Sequence, residues 1–219
     1  MKITYYLEVL SSWCYWAEPA WRELKERYGG RAEFAWKLAL MDGSGLPASR
    51  EQCDWFYRRS GTLVRSPFML DSRWLDPSMP EYLAPNLIAE AARDLGLADD
   101  RVRLALAHAA LREGRRVGSW EVSAEIAAVA AAGELQVPEL LARARSPEIE
   151  QRARAATAEF HALGVNQRPV FLLENSTGDR VVFSGLAKAT PLVAAAEALL
   201  ADEADQVAYA VHHGGPPHA

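Results

Sequence analysis

Ser11 and Cys14 stand three residues apart in Leu10-Ser11-Ser12-Trp13-Cys14-Tyr15-Trp16, between a strand-like apolar run and a helix-like one. Backbone N–H groups at a helix start lack intrahelical partners, and the helix dipole adds partial positive charge there. Thiolates and other anions are stabilised at such a point. Residues three apart on a helix are neighbours, so both side chains can address one bound group. The plain structural alternative makes Ser11 an N-cap and Cys14 a small core residue. A helix start contributes roughly 0.3–1 kcal/mol, about 2 when partly buried, which lowers a thiol pKa by about one unit. Cys14 is therefore expected to react faster than Cys53, the only other cysteine, for which the sequence offers no activating partner.

The elements that must hold this pair follow from periodicity. Ile3, Tyr5, Leu7 and Val9 alternate with Thr4, Tyr6 and Glu8, which predicts a strand over 2–10. Ala17, Trp21, Leu24 and Tyr28 share one helical face, Pro19 predicts a kink, and Gly29-Gly30 ends the helix. Phe34, Trp36, Leu38 and Leu40 predict a second strand, parallel to the first through a right-handed crossover. Residues 41–85 are rich in loop formers, with a short helix expected at 52–60. Trp55, Tyr57, Arg58, Arg59 and Arg65 could line a cleft and hold a carboxylate, although a solvated basic face is the simpler reading.

Residues 86–163 read as helices. Asp99-Asp100 and Ser119 are expected caps, and Pro138 and Pro147 suit first turns. Val122, Ile126 and Val129 are expected on one packed face, and Ile149, Ala153, Ala156, Phe160 and Leu163 form an amphipathic stripe. Strand 170–174, a turn at 175–179 and strand 180–183 predict an antiparallel hairpin. A last helix begins at Thr190-Pro191 and its apolar positions run to Leu200. The polar end, with His212, His213 and His218, reads as a disordered tail. His108 and His161 have no Cys or His partner at ligand spacing, so no metal site is assigned.

A chain of 219 residues, half of them apolar and a quarter charged, can bury a large core. A net charge of −5 without a basic stripe argues against nucleic acid as partner. No apolar run approaches the ~18 residues of a membrane span, and Met1-Lys2-Ile3 leads directly into strand. A cytoplasmic protein with neither targeting nor membrane segment is expected, and two cysteines suit a reducing compartment.

The Ser11–Tyr15 stretch resembles the active-site turn of the DsbA-like thioredoxin family, particularly its FrnE-like "predicted dithiol-disulfide isomerase" branch. There the pattern is Cys-Pro-Trp-Cys-Tyr before a helix. Trp13, Cys14 and Tyr15 keep it, while Ser11 and Ser12 stand where the first Cys and the Pro would be. Gly164-Val165-Asn166-Gln167-Arg168-Pro169-Val170-Phe171 resembles the family segment whose proline is cis and faces the active-site turn. The resemblance implies an α/β thioredoxin-like fold with a helical insertion. Residues 1–40 and 164–204 would form the thioredoxin-like domain, 41–163 a cleft-forming loop and helical insertion, and 205–219 a flexible tail. It also implies a cis Pro169 against the Ser11–Cys14 turn, with the Arg168 backbone open to a ligand.

Ser11 cannot form a disulfide, so a two-cysteine cycle through this motif is excluded. Three functions follow, in order. The first is a thiol-dependent oxidoreductase with a one-cysteine site, Ser11 and Cys14 being catalytic and Ser12, Trp13, Arg168 and Pro169 binding the substrate or thiol. The second is a transferase or isomerase resembling kappa-class glutathione transferases and 2-hydroxychromene-2-carboxylate isomerases, with Ser11 stabilising a bound thiolate. The third is a non-catalytic module that binds extended peptide. No tightly bound cofactor is expected. The expected partner is glutathione or another small thiol, or a thiol-bearing substrate.

Overall fold

The structure, a computed structural model, describes residues 1–43, 45–185 and 187–214. Ser44, Leu186 and residues 215–219, which include His218 and the end of the expected tail, lie outside the described residues. The chain opens with β1 (Lys2–Leu7), α1 (Ser12–Tyr28) and β2 (Glu33–Leu38). Six helices follow: α2 (Arg50–Leu63), α3 (Leu83–Asp94), α4 (Arg101–Leu111), α5 (Trp120–Ala130), α6 (Val137–Ala144) and α7 (Pro147–Ala162). The hairpin β3 (Val170–Glu174) and β4 (Arg180–Ser184) precedes α8 (Ala189–His213).

The sheet order is β2-β1-β3-β4, with β1 parallel to β2 and antiparallel to β3. Period-two alternation gives β1 two buried faces. Tyr5 stacks on Phe171 with ring centroids 4.7 Å apart and meets Trp21 of α1 at 5.2 Å. Tyr6 points the other way and packs with Phe160 of α7, Val170 and Leu172. With both faces covered, the end of β1 is a fixed platform for the turn that carries Ser11.

The helical insertion is fastened to α1 by charge. Arg103 of α4, 3% exposed, reaches Glu18 at 2.5 Å and Asp100 at 2.8 Å, and Asp100 accepts from Trp21 Nε1 at 3.0 Å. Asp100 occupies the N-cap position of α4 but makes no side-chain cap bond, contrary to its expected role, because its carboxylate is taken by these partners. Ser49 starts α2 by accepting from Gln52 N–H at 3.2 Å, so this helix is longer than the expected 52–60 segment. Ser119 caps α5 as expected, but Val129 is 81% exposed and does not join Ile126 in the core.

The last helix also departs from expectation. It continues past Leu200 to His213, across much of the segment read as a flexible tail. Its packed first part supplies the nucleus, and later residues each add a helical bond without a new nucleation cost. No helix among the described residues is long and apolar enough to cross a membrane.

Candidate active site

Ser11 is the N-cap of α1. Its Oγ accepts from Cys14 N–H at 3.3 Å and its carbonyl accepts from Tyr15 N–H at 2.9 Å. The amides of Ser12 and Trp13 take no hydrogen-bond partner among the described residues, which leaves two donors at the positive end of a 17-residue helix. The start of α1 is thus built to receive an anion or a polarised sulfur.

Cys14 lies behind this mouth, 3% exposed. Its Sγ accepts from Glu8 N–H at 3.5 Å, and Tyr5 OH donates to its carbonyl at 2.9 Å. Burial pushes its thiol up to about 12, against the pull of the Ser11 hydroxyl and the Glu8 amide. The direction is opposite to that expected from the helix start. A terminus worth about 1 kcal/mol is outweighed by removing the thiolate from water. Cys53 is no better activated: burial lifts it to about 11, and Tyr57 only partly offsets this. Both cysteines are free.

A cleft of about 210 Å³ opens in front of Ser11 and Ser12. Trp13, Met41, Phe56, Tyr57, Arg59 and Trp74 form its walls. Tyr57 OH accepts from Trp74 Nε1 at 2.8 Å, and Trp16 Nε1 donates to Ser60 Oγ at 3.1 Å, bracing α2 against α1. Burial keeps Tyr57 a neutral phenol, its pKa well above the ordinary value. The cleft therefore offers hydroxyl and amide donors at its floor, aromatic sides and one guanidinium.

Sequence reasoning places Ser11, Ser12 and Trp13 in this cleft, and the structure brings them together there. Arg168 and Pro169 are not part of this lining, although the Arg168 charge acts on both Glu8 and Cys14. The Arg168–Pro169 bond is cis, and Pro169 sits one step beyond the Tyr6–Val170 pair. The cleft walls, however, come from α2 and residues 41–74 rather than from this segment. The Arg168 guanidinium donates to the carbonyls of Ala39 and Leu40, so its side chain ties down the chain just after β2.

Two further residues support the site from below. Glu8 is 2% exposed; burial pushes its carboxyl up to about 7, while Asn86 and the Leu10 amide favour its ionised form. The sequence signal for Glu8 is a carboxylate set within an apolar strand, and for Asn86 an amide near the start of an apolar helix.

The sheet order and the inserted helices make a thioredoxin-like fold with a helical insertion, as seen in DsbA-like proteins. Solved structures share this fold. The chain is similar to the cytosolic disulfide reductase DsbM from Pseudomonas aeruginosa, with a TM-score of 0.72 and 21% identity over 92% of this chain and 99% of that one. The same reductase with GSH gives 0.70 and 19% over 92% and 100%. A 2-hydroxychromene-2-carboxylate isomerase gives 0.62 and 15% over 94% and 99%. No family model matches the chain, and no curated protein matches it.

Proposed function

We propose that this protein is a thiol-dependent transferase or isomerase in which Ser11 hydrogen-bonds the sulfur of a bound small thiol such as glutathione. One observation carries the reading. Ser11, 8% exposed, lines the cleft, while Cys14, 3% exposed, does not line it and its thiol is pushed up to about 12. The reactive sulfur is therefore brought by the ligand. Ser11 and the free amides of Ser12 and Trp13 lower the pKa of that thiol, its proton passing to solvent. The thiolate forms a bond to an electrophilic carbon. In a transferase the leaving group departs with its electron pair; in an isomerase the same carbon–sulfur bond later breaks.

We rank this reading ahead of the Cys14-centred one expected from sequence because the Cys14 sulfur is buried. A second reading keeps thiol–disulfide exchange at Cys14, as the shared fold with a disulfide reductase favours. In it the Cys14 thiolate attacks a disulfide, forms a mixed disulfide and releases one thiolate. That step requires the first turn of α1 to open. Either reading suits a cytoplasmic compartment, where thiols stay reduced.

Two measurements separate the readings. Reduced glutathione is titrated into wild-type protein and Ser11→Ala, with emission from Trp13 and Trp74 followed, and mass spectra are taken after exposure to glutathione disulfide. Saturable binding that weakens in Ser11→Ala, with no adduct, supports the serine site. An adduct on Cys14 supports exchange instead. Neither signal leaves a non-catalytic binding module.

A further inference from the structure

We propose that the thiol taken by this cleft is a carboxylic acid, with Arg59 of α2 as its carboxylate anchor and Arg58 as an outer guide; this rests on the thiol-binding reading of Ser11. Arg59 is the one charged side chain among the described residues lining the cleft. It also lines an adjoining surface groove of about 440 Å³ with Trp55, Arg58 and Leu63. The two depressions therefore meet at this guanidinium. In this proposal a ligand with its sulfur at Ser11 places its carboxylate at Arg59, and a longer ligand continues into the groove.

Arg59 shares with Arg50, Arg65, Arg115 and Arg180 the lack of an ion pair among the described residues, and is the one of these that lines the cleft. Arg73, Arg101, Arg143 and Arg154 all find carboxylates within 4 Å, as expected in a protein of net charge −5. Arg58 and Arg59 pair with no carboxylate among the described residues. Asp54, one helical turn before Arg58, forms no ion pair with it. Arg59 instead lies over the Trp55 ring, 6.0 Å from its centroid. That contact leaves the planar edge of the guanidinium, with its paired donors, open for a carboxylate.

The surroundings strengthen such a pair. Trp55, Arg59 and Leu63 follow one another at steps of four along α2, on the side away from its buried Cys53, Tyr57 and Ser60. Trp55 and Leu63 are more than half exposed, and Phe56 also shows its ring to solvent. Apolar side chains around an exposed cation lower the local dielectric and raise the value of a matching anion. They also provide a surface for the apolar part of the acid. The chemistry that fits is a small thiol-bearing acid whose apolar or peptide-like body separates sulfur from carboxylate.

The test uses 3-mercaptopropionate, its methyl ester, cysteamine, glutathione and glutathione diethyl ester. Each is titrated calorimetrically into wild-type protein, Arg59→Met, Arg59→Lys and the Arg58→Met/Arg59→Met double variant. Both positions are exposed, so the variants retain the fold. The acids are expected to bind wild type about tenfold more tightly than their esters, with cysteamine weakest. The preference should vanish in Arg59→Met and survive in part in Arg59→Lys. Equal binding of acid and ester by wild type overturns the carboxylate anchor and leaves the thiol site standing. An undiminished preference in the double variant assigns the anchor elsewhere and also overturns it. Failure of every thiol to bind overturns both readings.

Discussion

Asn86 Nδ2 lies 2.5 Å from Glu8 Oε1, directly beneath the turn that carries Ser11. Asn86 Oδ1 accepts from Val9 N–H at 3.1 Å, and Glu8 Oε2 accepts from Leu10 N–H at 2.7 Å. One amide from α3 and one carboxyl from the end of β1 thus hold both residues before Ser11. The helical insertion thereby sets the geometry of a turn that belongs to the sheet domain.

Removing Asn86 strands buried groups. Asn86→Ala leaves the Val9 amide and Glu8 carboxyl short of a partner, at about 1–3 kcal/mol each. Denaturant titration checks the loss of stability. The same variant should move the Glu8 titration above about 7, because the lost donor had favoured the ionised form.

The pH dependence follows from the sign of the Glu8 shift. Its folded pKa is raised from 4.5 to about 7, so the folded state holds the proton more tightly than the unfolded chain. The stability it contributes is fully present below pH 4.5 and is lost as pH rises through about 7. The loss is of order 3 kcal/mol. Glu8→Gln should flatten the stability profile across this window in chemical denaturation at a series of pH values.

Cys14 and Cys53 should both resist alkylation in the native protein. With thiols pushed up to about 12 and about 11, the thiolate fraction near neutral pH is on the order of a hundredfold to a thousandfold below that of a free cysteine. Iodoacetamide labelling followed by mass spectrometry, with and without denaturant, measures this. Rapid native labelling of Cys14 would contradict the burial account.

Ser11→Cys should create a Cys-x-x-Cys site. The Ser11 Oγ already lies 3.3 Å from the Cys14 amide, and its hydroxyl acts on the Cys14 sulfur. Thiol counting before and after oxidation should show a disulfide, and reduction assays should show turnover absent from wild type. A variant that retains two thiols under oxidant would mean that the side chains do not converge.

Arg103→Met should be the most damaging of these changes, at about 3–5 kcal/mol, because it leaves Glu18 and Asp100 without their buried cation. Burial alone would raise the Asp100 pKa, but Arg103 and Lys25 hold it below the ordinary carboxylate value. Its contribution is therefore present above the unfolded pKa and lost as pH falls through the lower folded one. Thermal unfolding of wild type and variant should converge toward acid pH.

Strands, the Ser11 and Ser119 caps and most helices were legible because alternation, serine caps and first-turn prolines are local signals. Ser11 at a helix start was legible for the same reason. The direction of the Cys14 shift was not, because it depends on the side chains packed over the sulfur. The role of the Arg168 side chain was not legible, because its partners, the carbonyls of Ala39 and Leu40, are distant in sequence. Tyr57 and Arg59 were visible as candidates, yet only the packing of α2 against α1 brings them into one cleft lining with Ser11. Local pattern names donors and acceptors; tertiary contacts decide which of them face a ligand.

Beyond Leu199, the last buried residue of α8, the helix carries Val207, Tyr209 and Val211 exposed to solvent, and its last described ion pair joins Glu203 to the N-terminal ammonium at 3.5 Å. Such a segment melts from its C-terminal turns inward, residue by residue, outside the cooperative unit formed by the core. In calorimetric terms it adds a sloping pre-transition baseline with little heat of its own. Circular dichroism should accordingly show helix signal declining gradually on warming, well before the aromatic signals of Tyr5, Trp21 and Phe171 collapse together.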